Sequence, residues 1–108
     1  MVRKGPNLTI PNGDNKSNVI DLKQSDNIRA MYIYGSAALD GTATVYVYNI
    51  DADKTDITKR RKLKTGGSDF TVAAGDAEPL TTVGYDGLQI GTSVNQTAER
   101  VFETAYVI

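Results

Sequence analysis

Arg29-Ala-Met-Tyr-Ile-Tyr-Gly35, Ser36-Ala-Ala-Leu-Asp-Gly41 and Thr42-Ala-Thr-Val-Tyr-Val-Tyr-Asn-Ile50 form one continuous stretch, and its reading decides the fold. Two runs dense in Tyr, Val and Ile flank small residues that end in Asp40-Gly41. Aromatic and β-branched side chains suit a pleated surface, and Asp-Gly supplies a backbone able to turn. In the second run Ala43, Val45 and Val47 share one face, with Thr44, Tyr46 and Tyr48 on the other. A period of two marks a strand with one face in a core. The stretch therefore predicts the central antiparallel pair of an all-β domain, with tyrosines on its outer face.

The rest of the chain fits that frame. Its 108 residues make one domain, small enough that self-association would help bury apolar surface. Residues 1–6, basic and then broken by Gly5-Pro6, read as an extended arm, and 7–108 as the β-domain. The carboxylates are mostly Asp, with Glu only at 78, 99 and 103, a balance that favours turns over helices. Strands are predicted at 7–10, 18–22, 57–64, 69–74, 80–83, 88–91 and 100–108, besides the central pair. Turn signals separate them, Pro11-Asn-Gly-Asp-Asn15 and Gly66-Gly67 being the strongest. About eight or nine short strands spaced in this way imply an antiparallel β-sandwich or a jelly-roll-like barrel.

Composition also bounds the chemistry. The chain has no Cys and no His, so disulfides, thiolate metal sites and the usual proton shuttle near neutral pH are excluded. No enzyme activity, cofactor or metal is expected. A net charge of −1 provides no long-range field for nucleic acid or an anionic membrane. The N-terminus lacks the apolar run of a secretory signal, and no stretch approaches the ~20 apolar residues of a membrane helix.

Several local features are candidate sites. Asp51, Asp53 and Asp56 bring three hard oxygen donors together, but the positions where a calcium loop needs Gly and Glu hold Asp56 and Lys62. A solvated hairpin tip is the plainer reading. Lys59-Arg-Arg-Lys-Leu-Lys64 is the sharpest charge run. No aromatic interleaves with its cations, which speaks against nucleic acid and for a charged edge strand or a contact with an acidic protein. Asn7, Asn15 and Asn95 open glycosylation tripeptides that are chance matches without a signal sequence. Tyr32, Tyr34, Tyr46 and Tyr48 are candidates for a subunit interface, and a sugar-stacking platform is the alternative.

Leu8-Thr-Ile-x-Asn-Gly13, Ser17-Asn-Val-Ile-Asp-Leu22, Met31–Tyr34, Ala37-Ala-Leu-Asp-Gly-Thr42, Val45–Tyr48, Gly87-Leu-Gln-Ile-Gly-Thr-Ser93 and Val94-Asn-Gln-Thr-Ala-Glu-Arg100 together resemble a family of small β-structured proteins. These are encoded beside tailed-phage capsid genes and are often taken to be decoration, or cement, proteins. The sharpest single piece is Val94-x-Gln96-x-Ala98-x-Arg100, and the basic stretch 57–64 departs from the pattern. The resemblance implies a virion protein made in the host cytoplasm that binds the major capsid protein on the shell's outer surface and stabilises it, often as a trimer. It carries no catalytic residues. Arg3, Lys4, Lys59, Arg60, Arg61 and Lys62 are the cations expected to meet an acidic capsid surface. The alternative is a glycan- or host-binding module of a phage virion.

Overall fold

The computed structural model describes residues 2–22, 30–48, 60–81, 85 and 87–107. All regular structure among them is β: β1 Val2–Lys4, β2 Leu8–Ile10, β3 Ile20–Asp21, β4 Ala30–Tyr34, β5 Ala43–Tyr48, β6 Arg61–Lys62, β7 Lys64–Thr65, β8 Ser68–Asp69, β9 Thr71–Val72, β10 Ala77–Thr81, β11 Gly87–Thr92 and β12 Arg100–Val107. One sheet has the order β1-β12-β4-β10, with β2 also on β12. The other has β3-β11-β5-β6, with β9 also on β5, and every pairing is antiparallel.

Some of these strands are pieces of longer ones. β1 and β2 run in turn along β12, but Lys4 lies opposite Ala105 and Leu8 opposite Phe102, so one extra residue is absorbed between them. The slack falls at Gly5-Pro6, where the proline has no N–H to offer a ladder. Gly5 N donates to Thr104 O at 2.9 Å, and the Thr104 hydroxyl donates to Pro6 O at 2.6 Å. Likewise β6 and β9 both pair with β5, and the β7–β8 hairpin is an excursion between them. Leu63 N still reaches Val45 O at 2.8 Å, and Phe70 N closes the excursion on Leu63 O at 2.8 Å. With β1/β2 and β6/β9 each taken as one strand and the hairpin set aside, eight strands remain. Numbered in chain order, they give sheets 1-8-3-6 and 2-7-4-5, the double Greek key of a jelly roll.

The sheets share one core. Leu8, Ile10, Met31, Ile33, Leu80 and Phe102 from the first meet Ile20, Val45, Val47, Val72, Leu88 and Ile90 from the second. Burying each such side chain contributes roughly 1.5–3 kcal/mol. β11 is buried at all its positions, so both faces of that strand are covered.

Three expectations need correction. The central pair does not exist: β4 pairs with β12 and β10, and β5 with β11, β6 and β9. The small residues between them carry the chain from one sheet to the other, and alternation reads the same whether the next strand pairs or crosses over. The N-terminal arm is extended, but its residues 2–4 are the paired strand β1. The strand expected over 80–83 begins earlier, at Ala77, and so holds Pro79 on the rim of its sheet. The predicted loop 51–56 with its three aspartates, and residues 57–59, lie outside the described residues.

Replacing Ile90 by Ala should lower unfolding free energy by about 2–5 kcal/mol, since the side chain is wholly buried. Val101→Ala, on the exposed side of β12, should stay within about 0.5 kcal/mol. Denaturant titration followed by circular dichroism measures both.

Candidate functional site

The polar side chains converge at one end of the sandwich, where three loops meet. Gln96, only 2 % exposed, is the tie. Its amide donates to Asp40 O at 2.8 Å, and its carbonyl accepts from Asp40 N at 3.0 Å and from Arg100 Nε at 3.2 Å. Its own backbone holds the third loop: Gly13 N donates to Gln96 O at 2.8 Å, and Gln96 N donates to Asp14 O at 2.9 Å. A second clasp is centred on Asp40. Its Oδ2 accepts from Thr97 N at 3.0 Å, from the Thr97 hydroxyl at 2.8 Å and from Arg100 Nη2 at 3.2 Å. The two bonds from Thr97, followed by that from Arg100, hold the Asp40 carboxyl below its ordinary range. Gly41, at φ +71°, lets the chain pass close to Ser93, whose hydroxyl accepts from Thr42 N at 2.9 Å. On this braced end Val94 is 47 % exposed, with Ala37, Ala38 and Ala98 also at the surface.

The four tyrosines divide between the sheets. On the outer face of the second, Tyr48 lies opposite Gly87, and Tyr46 is diagonal to Gly91 across the β5–β11 ladder. A β-carbon at Gly87 would sit 2.8 Å from the Tyr48 ring, and one at Gly91 2.5 Å from the Tyr46 ring, so both rings lie flat over glycines. Cations cover them from outside: Lys16 Nζ lies 4.9 Å from the Tyr46 centroid, and the Arg60 guanidinium 5.4 Å from that of Tyr48. Tyr48 is 1 % exposed, which removes it from any subunit interface. Burial raises its phenol pKa, and nearby Arg60 opposes that rise. Its hydroxyl donates to Gln89 Oε1 at 3.5 Å, and Gln89 Nε2 donates to Ser17 O at 2.7 Å. Ser17 Oγ then accepts Ile90 N at 2.9 Å, a side chain standing in for a strand carbonyl. Tyr32 and Tyr34, on the first sheet, stand 38 % and 40 % exposed.

The expected capsid-contact cations fall on two separate edges. Arg3 and Lys4 lie on β1 at the rim of the first sheet, with Lys4 Nζ 3.9 Å from Glu103. Arg61 and Lys62 lie on β6 at the rim of the second. Those rims are on opposite sides of the sandwich, because the first sheet's other edge, β10, faces Leu63, Phe70 and Tyr85 across a cleft of about 530 Å³. Asp69 pairs with Lys64 and, at 3.5 Å, with Lys62, and its bond to Lys64 is the main cause of its lowered pKa. Arg60 covers Tyr48, while Arg61, opposite Val47, and Lys62, opposite Tyr46, are both exposed. Lys59 lies outside the described residues. Among the described residues no group of three Asp or Glu is placed to hold a metal ion.

Gln96, Ser17 and Gln89 escaped the sequence reading as structural groups. A glutamine that ties loops has no local signature, because its partners at Asp40 and Gly13 are distant in the chain.

Gln96→Ala should destabilise by about 1–3 kcal/mol, because it orphans enclosed loop amides. Asp40→Asn should lower Tm at neutral pH. A carboxyl whose folded pKa lies below the unfolded 3.8 stabilises above that value and loses the effect as pH falls through the folded value. The Tm gap between Asp40→Asn and the parent chain should therefore close in strong acid, as a thermal melt series would show.

Compared with family models, with curated proteins and with solved structures, the chain matches none.

Proposed function

We propose that this chain is a decoration protein of a tailed-phage virion, which binds the outer surface of the assembled capsid and reinforces the shell. The observation that carries this reading is the braced loop end. Val94, Gln96, Ala98 and Arg100, on which the family resemblance is sharpest, are the residues that tie the loops or stand on their surface. Because hydrogen bonds already fix these loops, docking would freeze little further conformational freedom. Val94 among small alanines offers a flat apolar contact suited to a broad protein surface. A modest contact repeated over a shell lattice gains from multivalency when subunits are linked. Arg61 on β6, which is exposed, adds attraction toward an acidic surface of the major capsid protein.

Co-sedimentation with purified empty capsids tests this. The parent chain should pellet with the shells and saturate. Val94→Glu should weaken binding by about tenfold or more, equivalent to ~1.4 kcal/mol, with its melting curve unchanged. Arg61→Glu should cost only a few-fold and mainly at low salt. A parent chain that stays in the supernatant at every ratio would defeat the proposal.

A further inference from the structure

The two outer faces of the sandwich carry the same side chain in opposite situations. On the second sheet Tyr46 and Tyr48 are seated over glycines and roofed by cations. On the first, Tyr32 has Ala105 and Pro79 as cross-strand neighbours, and Tyr34 has Glu103 and Ala77. No glycine lies beside either ring on these strands, so the tyrosines form a ridge along β4, with Pro79 and Ala77 low on one side and Ala105 and Glu103 on the other. Val101, on the same face of β12, is 36 % exposed. The charges here are one of each sign. Lys4, opposite Ala105, is 72 % exposed at its side chain, and Glu103, two residues along β12, is 60 % exposed.

We propose that this face binds a second copy of the same chain, in a twofold dimer built on Tyr32 and Tyr34. A surface that meets itself must be self-complementary about a twofold axis, and one exposed cation beside one exposed anion makes this one so in charge. The ridge of one copy lies on the shelf beside the ridge of the other, and the Lys4–Glu103 pair, 3.9 Å apart within each chain, exchanges partners across the axis. A net charge of −1 leaves little repulsion between copies. Tyrosine brings large contact area for little lost freedom and is enriched at interface cores. A twofold pair differs from the trimer implied by the family resemblance. It is also independent of shell binding, because it is measured on the isolated chain.

Sedimentation velocity over micromolar to sub-millimolar concentrations reads it. The parent chain should pass from monomer to dimer, and Tyr32→Ala with Tyr34→Ala should hold it monomeric. Lys4→Glu leaves this patch with two anions and Glu103→Lys leaves it with two cations, so each variant alone should dimerise about tenfold more weakly. Mixed in equal amounts, the two should form heterodimers at least as readily as the parent forms its dimer. That recovery excludes misfolding as the cause of the single defects. A parent chain that is monomeric throughout or trimeric, or a mixture that associates no better than its components, would overturn the proposal.

Discussion

The fit of β5 against β11 is the constraint on which the remaining architecture depends. Their register sets Val45 opposite Ile90 and Val47 opposite Leu88 toward the core, with Tyr46 and Tyr48 on the far side above a glycine track. A slip of one residue would turn every one of these side chains to the wrong face. The glycines make such a slip costly from outside as well, because the rings would meet Leu88 and Ile90 instead of open backbone. Ser17 and Gln89 extend the lock to the neighbouring segment through enclosed polar bonds. A half-satisfied network of this kind would be worse than none, which is why it specifies one arrangement.

The parts of the fold legible in the sequence were those governed by local periodicity. Alternation at 43–48, the turn clusters and the closing strand all reflect side chains choosing between core and water within a few residues. The pairing of strands was not legible in that way. Val45 and Ile33 look alike as inward residues, and nothing local shows that they belong to different sheets. The candidate site was harder still, because its organising residue acts through partners 56 positions away. Part of the basic run, Arg61 and Lys62 on β6, lies at a sheet edge, but Arg60 is used on Tyr48 and Lys62 on Asp69, which no local pattern shows.

Polar order and apolar exposure are separated in this molecule. At the loop end, buried amides and a held carboxylate stiffen the backbone while Val94 stands out. On the first sheet, regular strands supply the stiffness and the tyrosines stand out. In both places an exposed side chain rests on backbone already fixed from beneath.

The β7–β8 hairpin has a practical consequence. Its tip, Gly66-Gly67, has nothing within 4 Å of where a side chain would project, and the eight-strand frame closes beneath it through Leu63 and Phe70. A foreign peptide spliced between those glycines would lengthen an excursion already outside the frame, at a loop-closure cost that grows only slowly with length. The tip is thus a natural mount for an epitope or a fluorophore.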